Sequence, residues 1–229
     1  MTQIAGRPQV HGPLRADGVC VAYGPVVALS EVSMTVHPGE FISVTGPSGA
    51  GKSSLLWALG GALRPKSGVV TYAGGPVGDR ERAAAAGIVL VPQGNGLATT
   101  LTAAENAVVP LLAAGVHSRE AEERVQVALS EVGLEESGNH LIEELSGGQQ
   151  QRVAVARALA RRGSVILADE PTSDLDSLNR ERMIALLRAE ADDGALVIMA
   201  THDPDAAGET DAELALDDGS MTWVRPLIR

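Results

Sequence analysis

The chain has 229 residues, with 18 basic against 29 acidic side chains and a formal charge of −11. This length bounds one large α/β domain, or a core with a smaller lobe, and the acidic balance excludes a protein that grips a nucleic-acid phosphate backbone. Phe41, Trp57, Trp223, Tyr23 and Tyr72 are its only aromatic residues, too few for base-stacking platforms, and a single cysteine, Cys20, excludes an intrachain disulfide or a cysteine-rich zinc site.

Cys20 is expected to be a small buried apolar side chain, in keeping with a cytosolic compartment. Residues 1–8 contain no apolar stretch of signal-peptide length, and no apolar run is long enough to span a bilayer, so a soluble chain is expected. Residues 1–13 mix Gly, Pro and polar residues without periodicity and predict a flexible arm, followed by one domain over 14–229. Two β-branched runs, 19–23 and 32–36, predict strands turned by Tyr23-Gly24-Pro25 and His37-Pro38-Gly39.

Residues 41–45 then alternate like a buried strand and lead into Gly46-Pro47-Ser48-Gly49-Ala50-Gly51-Lys52-Ser53-Ser54. This stretch matches the G-x-x-x-x-G-K-[ST] phosphate loop, and a helix is predicted behind it to residue 63, broken at Pro65. Glycines without a β-carbon let successive backbone NH groups converge on phosphate oxygens, and the helix adds the positive end of its dipole. Lys52 is placed to reach the β and γ phosphates of a nucleotide, and the Ser53 hydroxyl to ligate Mg2+. The plainer alternative is a glycine-rich turn with a chance lysine.

A strand over 68–73, a Gly-rich linker and an apolar run from Ile88 that ends in Gln93 come next. From Ala103 to Leu145, Ala, Leu and Glu dominate and Val125, Ala128, Leu129 and Val132 recur at helical spacing, so a helical lobe of about 100–160 is predicted inside an α/β core. A helix over 149–162, a strand over 165–168, a helix over 180–191 and a strand over 195–200 follow. Their unbroken apolar strands belong in a parallel sheet covered on both faces. Asp217-Asp218-Gly219-Ser220 predicts a closing hairpin between 214–216 and 221–224.

The strand at 165–168 ends in Asp169 and Glu170. With a phosphate loop in the same chain, such a pair can divide the work: Asp169 on the metal side, Glu170 polarising the attacking water. Acidic residues at a strand end are also common in solvated loops. Leu145-Ser146-Gly147-Gly148-Gln149, followed by Gln150-Gln151-Arg152-Val153-Ala154, resembles the signature motif of ABC-type ATPases. Physically it is an anion site at a helix start, unless it is an ordinary helix entry.

The resemblance runs from about Leu14 to Val224 and implies a P-loop NTPase core of ABC type with an antiparallel β edge and the helical lobe inserted in it. It implies that Ser146, Gly147, Gly148 and Gln149 contact ATP held by a second subunit, in a head-to-tail pair enclosing two nucleotides. Further roles come only through it. Tyr23 matches the aromatic that stacks on adenine, otherwise a strand-end core residue. Gln93 matches the glutamine that touches Mg2+ and the water, otherwise a polar loop residue. His202 matches the switch histidine at the γ phosphate, otherwise a solvated side chain. In Ser173-Asp174-Leu175-Asp176, Asp176 matches the carboxylate of the loop that crosses the dimer interface. His11, His37, His117 and His140 match nothing and are expected on loops or helix surfaces.

Pro38-Gly39-Glu40-Phe41, Leu101-Thr102-Ala103-Ala104-Glu105-Asn106 and Pro110-Leu111-Leu112 resemble the branch that serves lipoprotein release, macrolide export and the cell-division ATPase. Two stretches depart from that branch: Gly94-Asn95-Gly96-Leu97 after Gln93, where an aromatic is usual, and Ala83-Ala84-Ala85-Ala86, where a basic segment is usual. The resemblance implies a peripheral ATPase at the cytoplasmic face of the cell membrane, hydrolysing MgATP to energise an integral membrane permease. An ATPase that signals mechanically to a membrane partner is the alternative. A DNA-repair or chromosome ATPase would need an inserted coiled coil or zinc module, and the sequence has neither.

Overall fold

The structure is a computed structural model that describes residues 12–227. The arm expected over residues 1–13 lies, but for its last two residues, outside the described residues, as does His11. β1 (Leu14–Tyr23) and β2 (Val26–Val36) form an antiparallel hairpin whose two-residue turn is Gly24-Pro25. Both strands are longer than their apolar runs, because bulges break the alternation: the register slips between Ala16 and Val19, and Gly18 and Glu31 have φ of 58° and 53°. Cys20 sits in this irregular stretch half-buried, not buried as expected, and its Sγ accepts a 3.2 Å hydrogen bond from the Glu31 amide.

β3 (Phe41–Thr45) carries the chain through the phosphate loop into α1 (Lys52–Leu59), which ends sooner than predicted at Gly60. β4 (Ser67–Tyr72) and β5 (Gly75–Pro76) complete the antiparallel sheet in the order β2-β1-β4-β5. The Gly-rich linker holds an unpredicted helix, α2 (Arg80–Ala85), capped by Asp79, whose side chain accepts from the Arg82 amide. β6 (Ile88–Val91) follows.

Next come α3 (Ala103–Ala113), α4 (Ser118–Glu131) and α5 (Gly147–Arg161), with the 3-10 turn Ile142–Glu144 before the last. α3 and α5 each begin with a capping box, Thr102 with Glu105 and Ser146 with Gln149. Arg152 and Arg182 donate to the carbonyls of Val132 and Glu131 at 2.8 and 2.7 Å, satisfying the exposed end of α4 where the helix dipole favours positive charge. These helices share a core of their own that includes Ala107, Val125, Leu129 and Val153. α5 is also part of the α/β core, since Ala154 and Ala158 pack against Ile166 and Val197.

β7 (Val165–Asp169), α6 (Ser177–Asp192), β8 (Leu196–Ala200), the short α7 (Pro204–Gly208) and the hairpin β9 (Ala212–Asp217) and β10 (Ser220–Arg225) finish the chain. The second sheet has the order β10-β9-β3-β8-β7-β6, parallel throughout except for antiparallel β10 at its edge. The central strands β3, β7 and β8 are buried on both faces, with period-two alternation. Ile42, Val44, Leu167 and Ile198 face α1 and the antiparallel sheet, while Phe41, Ile166, Val197 and Met199 face α5 and α6. No helix among the described residues is long and apolar enough to cross a membrane. His117 and His140 lie exposed, and His37, half-buried in a loop, is 3.5 Å from Glu40.

Candidate functional site

In a parallel sheet every strand ends on the same side, so the residues after β3, β8, β7 and β6 are brought together by topology alone. There they line a cleft of about 600 Å³, a size suited to a small ligand. Ser48, Gly49, Gly51, Lys52, Ser53 and Ser54 form its floor, Asp169, Glu170 and His202 one wall, and Gln93 a neighbouring edge. Tyr23 and the exposed Val26 and Val27 reach it from the tip of the first hairpin, the Tyr23 hydroxyl lying 3.3 Å from Ser54 Oγ. Tyr23 is 46% exposed, which removes the core alternative for it.

The remaining loop residues, Gly46, Pro47 and Ala50, do not line the cleft. The Ala50 methyl is in the hydrophobic core, and the carbonyls of Gly46 and Pro47 accept from Lys52 Nζ at 2.7 and 3.1 Å. Lys52 is buried, with Nζ 3.9 Å from Glu170 Oε1. Glu170 is held from every side. Its amide donates to the Ala200 carbonyl at 3.0 Å, and Oε2 lies 2.9 Å from His202 Nδ1. Its φ of 51° is a conformation that a residue with a β-carbon adopts at a cost of about 1–3 kcal/mol, kept only where surrounding contacts impose it.

Asp169 is 1% exposed, and its Oδ2 has no hydrogen-bond partner. Burial pushes its carboxyl above the usual range, partly offset by a hydrogen bond from the Ser53 side chain. A buried carboxylate oxygen left free beside a serine hydroxyl is a hard-oxygen donor set, which fits Mg2+; that ion keeps several waters and needs few protein ligands. Gln93, exposed at the end of its strand, could add its side-chain oxygen.

The cleft does not include Ser146, Gly147, Gly148, Gln149 or Asp176. Ser146 caps α5 with its side chain accepting from the Gln149 amide at 3.3 Å, and both Ser146 and Gly147 are exposed. Asp176 caps α6, where the Asn179 amide, 2.8 Å away, holds its carboxyl below the usual range. Two residues that lie in quoted motif stretches but had no role assigned from the sequence touch the site: Ser173 lines the cleft, and Gln151, 2% exposed on α5, donates from Nε2 to the Glu170 carbonyl at 3.2 Å. The one signal for Gln151 is a glutamine facing inward on an otherwise Val- and Ala-rich helix face.

The profile of the ABC transporter family matches residues 29–173. This chain belongs to the ABC transporter family. It is an ABC-type ATPase, and its fold is that of the ABC cassette. The sequence is 42% identical over 202 residues to the macrolide export ATP-binding/permease protein MacB of Rhodospirillum rubrum, covering 86% of this chain and 31% of that protein. It is 45% identical over 177 residues to an uncharacterized ABC transporter ATP-binding protein of Mycobacterium bovis, covering 75% and 54%. The chain therefore spans under a third of the MacB relatives' length. The dimeric structure of the bacterial ABC transporter cassette MJ0796 superposes with a TM-score of 0.86 at 33% identity, over 93% of this ABC chain and 100% of that one. A post-hydrolysis dimer of the same cassette bound to ADP and Pi gives 0.85.

Proposed function

We propose that this chain is the ATP-binding and ATP-hydrolysing subunit of an ABC transporter, driving a membrane permease from the cytoplasmic face through closure of a head-to-tail dimer. The observation that carries this reading is a division of parts. Lys52, Ser53, Asp169, Glu170 and His202 line one cleft, whereas Ser146 and Gly147 stand exposed on the end of α5 outside it. A site that needs both sets is completed by a second copy of the chain. The MJ0796 dimers and the naming of MacB as an ATP-binding/permease protein support the same assembly.

In this reading the phosphate-loop amides and Lys52 bind and orient the triphosphate. Ser53, Asp169 and Gln93 would hold Mg2+, which neutralises phosphate charge when bound. Glu170 takes the proton of the attacking water, and His202, 2.9 Å from that carboxylate, orients it and faces the γ phosphate. Binding closes the pair and hydrolysis reopens it, so the permease is offered two discrete states.

A complementation experiment tests the shared site. Lys52→Ala damages the phosphate loop, and Ser146→Arg fills the signature with a bulky side chain, so each variant alone should hydrolyse almost no ATP. A mixture forms heterodimers in which both lesions fall in one composite site and the other is intact. Hydrolysis should return on mixing, as measured by phosphate release. If it does not, and the same mixture carrying Glu170→Gln also forms no ATP-dependent dimer, the head-to-tail reading is wrong.

The base end of the cleft gives a second expectation. Val26 and Val27 offer no side-chain donor or acceptor to a base edge, and stacking on Tyr23 is indifferent to base identity. Tyr23→Ala should weaken ATP and GTP alike, by about 1–3 kcal/mol. Equilibrium titration checks this, and unchanged ATP affinity would remove Tyr23 from the site.

A further inference from the structure

Glu170 combines a strained backbone with a working side chain, and the structure shows what holds the backbone. Its carbonyl accepts from Gln151 Nε2 and from Ser173 Oγ, each at 3.2 Å, and more weakly from the Ser173 amide at 3.4 Å. Gln151 is buried in the second turn of α5, the helix whose exposed first turn carries Ser146 and Gly147. A polar side chain placed there costs desolvation unless its hydrogen bond is made, so the bond to Glu170 is the reason it is tolerated. A left-handed φ at a residue other than glycine relaxes unless both sides of its peptide are fixed. The Ala200 carbonyl fixes the amide side, and Gln151 with Ser173 fixes the carbonyl side.

We propose that Gln151, seconded by Ser173, is a positioning residue: by gripping the Glu170 carbonyl it keeps that residue left-handed, aims its carboxylate into the cleft, and ties its position to α5. The proposal rests on the reading of Glu170 as the group that takes the water's proton. A shift of α5 is thereby transmitted to the reacting carboxylate through one hydrogen bond. Gln151 has no hydrogen bond to Lys52 or the phosphate loop, so replacing it leaves their contacts to nucleotide in place.

The test uses the full chain as the native protein, Gln151→Met, Glu170→Gln and the double variant, with thermal unfolding to confirm folding. Gln151→Met keeps the volume and removes the donor. It should lower kcat on the order of tenfold and leave ATP affinity by equilibrium titration unchanged. In single-turnover reactions it should add nothing to the loss caused by Glu170→Gln, because both act through one group. Native kcat in Gln151→Met, a shifted ATP affinity, or a loss that multiplies that of Glu170→Gln overturns the proposal. If Glu170→Gln itself turns over normally, the reading of Glu170 falls and takes this proposal with it. If Glu170→Gln is inactive and Gln151→Met is native, only the proposal falls. Should Gln151→Met fail to fold, Gln151→Leu, which also lacks the donor, carries the same expectation: lower kcat at unchanged ATP affinity, with native kcat counting against it.

Discussion

Glu170→Gln should retain ATP affinity and lose about 10²- to 10⁴-fold in steady-state hydrolysis, the usual contribution of a positioned general base. The substitution preserves the side-chain shape beside His202 and leaves Asp169, Ser53 and the phosphate loop untouched, so the ground-state contacts to nucleotide survive. What goes is the basic oxygen. Loss of kcat with constant affinity marks a group that acts only in the transition state. Steady-state phosphate release and equilibrium titration on the same preparation separate the two quantities, and near-native turnover would take Glu170 out of the chemistry.

Gly51→Ala should be far more damaging than the same added methyl two positions earlier in the phosphate loop, at Gly49. Gly51 has φ of 104°, and a β-carbon there would come within 2.2 Å of the Ala28 carbonyl oxygen and 3.0 Å of Leu29 Cδ2. Backbone strain and the clash with fixed backbone together cost about 2–5 kcal/mol, and the loop must move to relieve them. Gly49 provides the control: its φ is 84°, but a β-carbon meets nothing within 4 Å. Gly49→Ala bears strain alone, roughly 1–2 kcal/mol. Chemical denaturation should therefore rank the native protein above Gly49→Ala and Gly49→Ala above Gly51→Ala. Nucleotide affinity should fall furthest in the last, and equal stability of the two variants would contradict the steric account.

The parts of the fold that were legible in the sequence are those in which local pattern and tertiary demand agree. The strand before Gly46, the apolar strands ending at Asp169 and Ala200 and the Asp217 to Ser220 hairpin all read correctly, because burial on both faces or a tight turn leaves little freedom of composition. The first hairpin read short because the bulges near Gly18 and Glu31 interrupt the alternation on which a strand is recognised. α2 and α7 escaped because helices of six and five residues show no periodicity, although Asp79 and Asp203-Pro204 are proper helix starts. In the site, motifs pointed to the residues that meet in the cleft, but not to what supports them. The bond from Gln151 to Glu170 joins residues 19 positions apart through a side chain to which the signature stretch gives no role.

The place of β3 in its sheet bears on how the protein is made. The strand that carries the phosphate loop lies between β8 and β9, and the Phe41 amide is satisfied by the Asp211 carboxylate, 170 positions further on. A growing polypeptide leaving the ribosome thus displays Lys52 and Ser53 early, behind a strand that still lacks its neighbours, and cannot fix them in place until β8 and β9 have emerged. Such distant pairing delays folding of the cassette until β8 and β9 have been made. A chain that stops before β9 therefore has no neighbour on one side of β3 to hold the loop, and its nucleotide affinity should be low until that strand is made.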